Sequence, residues 1–170
     1  KAVAAAVPLL DAEPGNVQVA IGKSTVDFRT GEWSVRSRLK EGRYPQIEYA
    51  FPKTFDHEIK LAPKLFLAKI RQAANVAEEE RESRRVSFLF GDGKLRLACE
   101  TTNGKAAAEM PIASDVKLTM QFDPKHLVEF LKGIDAETIE FRATSPDKPA
   151  MFQAGADYSY LVMPIVKGKP

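Results

Sequence analysis

"IKLAPKLFLAKI", residues 59–70, alternates apolar and polar side chains as far as Ala62, meets a proline, and then changes period. Ile59 and Leu61 flank Lys60 as one face of a strand does. From Pro63 to about Ala77 the residues Phe66, Leu67, Ile70, Ala73, Ala74 and Ala77 gather on one side of a helical repeat, with Lys64, Ala68, Arg71, Gln72 and Asn75 on the other. Proline is at home in a first helical turn, where its missing N–H has no intrahelical acceptor to lose. The same order returns at residues 118–130 as "LTMQFDPKHLVEF". Asp123 is a good N-cap there, and the helix it predicts runs from Pro124 to about Ile134, with Leu127, Phe130, Leu131 and Ile134 inward and Lys125, Glu129 and Lys132 outward.

Each copy is followed by alternating strands. Val86, Phe88 and Phe90, then Leu95, Leu97 and Cys99, then "AAAEMPI" follow the first; Ile139 and Phe141, "AMFQ" and "YLVMPIV" follow the second. Asp92-Gly93 and Asn103-Gly104 supply the positive φ angles of tight hairpins, so neighbouring strands are antiparallel. Residues 53–170 therefore read as a duplicated β-α-β-β-β unit of the α+β class. Ahead of it stand three more strands, marked by Val17, Val19 and Ile21, by Val26 and Phe28, and by Trp33, Val35 and Leu39. With "KAVAAAVPLL" as a helix remnant and "EGRYPQIEYAFP" as the exit, residues 1–52 fit the same unit with its front removed. The expected junction is Pro52/Lys53.

A chain of 170 residues with 44% hydrophobic and 28% charged residues can bury a full core, which argues against disorder. No apolar run approaches the roughly 20 residues of a membrane span, so a soluble chain with no membrane partner is expected. Lys1 and the short apolar stretch after it suggest a fragment or processed chain rather than a signal peptide. The single cysteine, Cys99, rules out an internal disulfide and CxxC-type metal sites, fits a buried strand position, and points to a reducing compartment. A net charge of +2 is too small to decide for nucleic acid; the distribution has to. His57 and His126 lack the partners of a catalytic set, and "GDGK" is a hairpin turn, not a phosphate loop. No catalysis, cofactor or metal is expected.

Three segments, "SRLKEGRYPQIEYAFP" (37–52), "MQFDPKHLVEFLKGI" (120–134) and "DYSYLVMPI" (157–165), occur in the order and spacing that resemble the bacterial DNA polymerase III beta subunit, the sliding clamp. The resemblance implies a DNA clamp fold, with antiparallel sheets outside and helices on the inner face of a ring-shaped homodimer of three similar domains per subunit. Residues 1–52 would be the second half of the middle domain and 53–170 the C-terminal domain. It also implies an apolar groove for short peptides from the replicative polymerase alpha subunit, the clamp loader and repair proteins. Carried over by position, the groove comprises Leu161, Val162, Met163, Pro164 and Ile165, with Pro45, Tyr49, Ala50, Asp123, His126 and Pro149. Proline ends sheet pairing, freeing this last segment to meet a partner. Double-stranded DNA, held without regard to sequence, would face Lys64, Arg71, Gln72, Lys125 and Lys132. The setting implied is cytoplasmic and nucleoid-associated. The chain departs from the family pattern at Asn75, at the charge run 78–85 and in the tail 167–170. A clamp-fold interaction module that forms no ring is the alternative reading, and a hydrolase or transferase a distant third.

Overall fold

The computed structural model describes residues 7–8, 15–43, 46–76, 85–102 and 104–166, without the side chain of Glu48. The "KAVAAAVPLL" remnant apart from Val7 and Pro8, together with Pro45, Ala77, Asn103, most of the charge run and the tail 167–170, lies outside these residues. Two compact units result, Lys1–Gln46 and Ile47–Pro170. The junction expected at Pro52/Lys53 falls inside the second unit, shortly before its first strand.

In the first unit β1 (Gln18–Ile21), β2 (Thr25–Thr30) and β3 (Trp33–Arg38) form an antiparallel sheet in chain order. Gly31, at φ 52°, makes the tight turn between Thr30 and Trp33, which face each other across the hairpin. Asp27 and Arg36 are likewise opposite and form an ion pair at 2.6 Å. The three strands form where alternation placed them, but most of their apolar side chains are not buried. Val19 is 53% exposed, Ile21 75% and Trp33 55%; among the described residues of this unit only Thr30 is buried. A sheet buries a face only against a second layer, and the described part of this unit consists of one.

The second unit opens with a 3-10 turn at Ile47–Tyr49. It continues through β4 (His57–Leu61), α1 (Pro63–Ala73), β5 (Val86–Gly91), β6 (Lys94–Thr101) and β7 (Gly104–Pro111). Then come β8 (Leu118–Phe122), α2 (Pro124–Lys132), β9 (Ile139–Ala143), β10 (Ala150–Ala154) and β11 (Tyr158–Val162). This is the β-α-β-β-β unit twice over. The helices stop earlier than their periodicity predicts. Beyond Ala73 the chain tightens into a 3-10 turn at Ala74–Val76, and after Lys132 Gly133 ends α2, its N–H donating to the Phe130 carbonyl at 3.2 Å. The Asp92-Gly93 turn is as expected: both residues have positive φ, 52° and 69°.

What periodicity does not display is the pairing between repeats. The two four-stranded sheets run β11-β10-β9-β4 and β7-β6-β5-β8, so each repeat donates its first strand to the other's sheet. Ile59 pairs with Phe141, and Phe88 with Met120. One continuous core results, in which Phe66, Ile70, Leu127, Phe130 and Leu131 from the helices meet Phe88, Leu97, Phe122, Phe141 and Phe152 from the strands. Cys99 is buried in this core on β6, flanked on the same face by Leu97. α1 lies alongside α2 and against β6 and β7, which leaves the polar faces of both helices to solvent.

Candidate functional site

β11 is an edge strand, and its ladder ends where Val162 faces Ala150. The next residues change course. Met163 is 62% exposed, Pro164 is buried and offers no N–H, and the Ile165 N–H donates to the Gln121 carbonyl at 2.7 Å. Gln121 belongs to β8, the edge of the other sheet. Residues 163–166 thus cross from one sheet edge to the other. Beneath this crossing lies a hollow of about 900 Å³ lined by residues 160–166 with Arg85, Asp123 and His126.

Of the expected groove residues, Leu161, Val162, Met163, Pro164, Ile165, Asp123 and His126 come together here. Pro149 is half-buried immediately before Ala150, the residue that pairs with Val162, and does not line the hollow. Tyr49 closes the 3-10 turn at 85% exposure and Ala50 follows it, its N–H donating to the Ile47 carbonyl; neither lines the hollow. Pro45 is outside the described residues. The structure adds Arg85, Tyr160 and Val166. Arg85 sits at the end of a charge run that reads as solvated surface, so no local signal singled it out. Tyr160 opens the apolar run "YLVMPIV", and nothing in its spacing marked it for the hollow.

Asp123 caps α2, its Oδ1 accepting from the Lys125 N–H at 2.9 Å, which holds the helix start against the hollow. Ala62, at the corresponding point of α1, makes no side-chain cap. The Tyr160 ring stacks on Phe130 with centroids 4.7 Å apart, and its hydroxyl donates to the His126 carbonyl at 3.3 Å. Burial raises the Tyr160 pKa above the ordinary 10.0, with Glu129, Tyr158 and Asp123 adding negative charge nearby. A phenol that holds its proton more tightly when folded contributes stability that is present in full below its unfolded pKa and lost as pH rises through the raised folded value. Urea unfolding between about pH 9 and 11 is therefore expected to show a steeper loss of stability for the native chain than for Tyr160→Phe. Parallel curves would show that Tyr160 titrates alike in both states.

On the helices, Lys64, Arg71 and Gln72 of α1 and Lys125 and Lys132 of α2 are all exposed. Lys69, missed in the sequence because it directly precedes core Ile70, joins them at the margin, its Nζ donating to Gln72 Oε1 at 3.4 Å. Glu129 is exposed on α2 among these cations. His57 is half-buried at the start of β4, opposite Ala143. Among the described residues no three His, Cys, Asp or Glu side chains converge as metal ligands, and no helix is long and apolar enough to cross a membrane.

A family model described as DNA polymerase III beta subunit, C-terminal domain, matches residues 48–166. The chain is 26% identical over 143 residues to the beta sliding clamp of Synechococcus elongatus, covering 81% of this chain and 38% of that protein. It is 25% identical over 170 residues to the beta sliding clamp of Staphylococcus aureus, covering 97% and 45%. A solved Caulobacter crescentus beta sliding clamp superposes with a TM-score of 0.84 at 21% identity over 97% of this chain and 45% of that one. A Bartonella birtlesii sliding clamp bound to griselimycin gives 0.85 at 19%, over 98% and 45%. The fold is that of these clamps, and the chain spans less than half the length of each.

Proposed function

Because the chain belongs to the DNA polymerase III beta subunit family, whose members are non-catalytic processivity subunits, we propose that it is the C-terminal portion of a sliding clamp that tethers a replicative polymerase and other proteins to duplex DNA. Residues 1–52 are then the second half of the middle domain and 53–170 the C-terminal domain, in a cytoplasmic protein whose full length closes as a homodimeric ring. The observation that carries the peptide-binding part is the exposed Met163 at the mouth of the hollow beside the chain's last strand. An unbranched thioether accommodates partners of differing shape, while buried Pro164 and Val162 give the floor its rigidity. The partner is a short peptide led by glutamine, carrying an acidic residue and ending in leucine and phenylalanine.

Duplex DNA is the second partner, met by Lys64, Arg71, Gln72, Lys125 and Lys132. Such contacts neutralise phosphates and read no base edges, as a protein that must move along DNA requires. Glu129 weakens the field, and retention comes from ring topology rather than affinity.

Calorimetric titration of the peptide into the chain tests the reading. Binding is expected, with Met163→Asp weakening it by about tenfold or more, equivalent to about 1.4 kcal/mol, because the peptide's apolar side chains would face a carboxylate. No binding to this chain, nor to a longer parent protein, would remove the peptide site.

A further inference from the structure

The three-stranded sheet of the first unit has two faces of opposite character. Val19, Phe28 and Val35 lie opposite one another across its strands, and Trp33, two residues before Val35, shares their side. That apolar face is the one suited to a covering layer. The other, which such a layer would leave in solvent, carries Thr25, Asp27, Arg29, Ser34, Arg36 and Arg38. Arg36 donates from Nε and an Nη to the two carboxylate oxygens of Asp27, at 2.6 and 3.1 Å, and its side chain is still 69% exposed. Arg29 and Arg38 are exposed as well and, among the described residues, have no ion pair of their own. Residues 23–43 hold six cations against three carboxylates, a net +3, whereas the whole chain nets +2. The positive excess of the chain is therefore gathered around this sheet.

We propose that this face binds an extended acidic segment of another protein, one with Asp or Glu at alternate positions. Guanidinium groups take carboxylates through paired N–H bonds, and the Arg36–Asp27 pair already does so here. The spacing selects the shape of the partner. Arg36 and Arg38 are two residues apart on β3, about 6.8 Å, and every second side chain of an extended peptide repeats at that same interval. Arg29 lies diagonal to Arg36 across the ladder, about 7–8 Å away, and widens the row. A single exposed ion pair contributes little, so the binding depends on the row as a whole. Single-stranded nucleic acid needs rings on which its bases can stack, and a lipid surface needs apolar side chains that insert. This face has no aromatic ring and no apolar side chain larger than Ala20. The inference stands on the first unit and not on the clamp reading.

The test is fluorescence anisotropy of a dye-labelled peptide of alternating aspartate and serine, titrated with the 170-residue chain at low salt. The probe has no apolar residue to offer the hollow beside β11. Binding is expected, and added salt should weaken it. Arg29→Glu and Arg38→Glu should each weaken it by about threefold or more. Asp27→Asn releases Arg36 from its internal partner and should strengthen binding by about twofold or more. Lys60→Glu makes the same change in net charge as the arginine reversals but sits on β4 of the second unit, and it should leave the affinity unchanged. Thermal melts check that each variant is folded. No binding at low salt would overturn the inference. So would a loss with Lys60→Glu equal to that of the arginine variants, which would make net charge the only cause. Tighter binding of a single-stranded thymidine oligonucleotide of equal charge would assign the face to nucleic acid instead.

Discussion

Phe152→Ala is expected to lower the unfolding free energy by about 3–5 kcal/mol, a large part of the ~5–15 kcal/mol that holds a typical domain together. Phe152 is fully buried in β10 and is the side chain on which both helices and two strands converge. Its ring lies 6.0 Å from Phe66 of α1, 5.7 Å from Phe130 of α2 and 5.1 Å from Phe141 of β9. Removing it leaves a cavity among rings that cannot collapse inward without giving up their own stacking, so the lost transfer energy and the cavity term add. Leu89→Ala supplies the control. Leu89 is 39% exposed on the outer face of β5, and truncating it should cost well under 1 kcal/mol. Urea titrations of both variants check the contrast, and similar midpoints for the two would contradict the packing described.

Interrupting the chain in the loop between β7 and β8 is expected to leave neither piece of the second unit folded, and mixing the pieces should restore the fold. The cause is the exchange of first strands. The piece ending at β7 keeps β5 but loses β8, its neighbour, and keeps β4 without β9, so Ile59 and Leu61 have no sheet to join. The piece beginning at β8 has the converse defect, with Leu118, Met120 and Phe122 unpartnered. Two-state folding relies on non-local pairs closing together, and here each sheet needs both repeats. Circular dichroism of each piece alone should show no cooperative melt, and the equimolar mixture should show one. Cooperative unfolding of either piece by itself would count against the interdependence.

The repeat was legible because each copy changes period at a proline: alternation up to Leu61 and Phe122, then a helical stripe from Pro63 and Pro124 that the core confirms at Phe66, Ile70, Leu127 and Phe130. Turn chemistry gave the Asp92-Gly93 hairpin for a similar reason, since positive φ restricts the residues that can stand there. Pairing across the repeats was not legible. Periodicity says which face of a strand is buried and nothing about which strand lies beside it, so β4 and β8 carried no mark of their exchange. Val19, Ile21 and Trp33 are exposed although they alternate, because alternation records what a sheet is suited to cover and the described part of that unit supplies no covering layer. In the site, Met163 and Pro164 announced themselves by placing a proline within an apolar strand. Arg85 was hidden in a run of charges, and no local pattern shows that the Tyr160 hydroxyl reaches the His126 carbonyl, a residue 34 positions away.

The crossing from β11 to β8 also bears on how this protein stays dispersed. Leu118–Phe122 reads LTMQF, with no proline and no charge, the composition of segments that stack into cross-β fibrils when their backbone groups are left unclaimed. It lies at a sheet edge, where such stacking would begin. The Ile165 N–H claims the Gln121 carbonyl, one residue before the end of that segment, so residues 163–166 cover this part of the edge as well as forming a wall of the hollow.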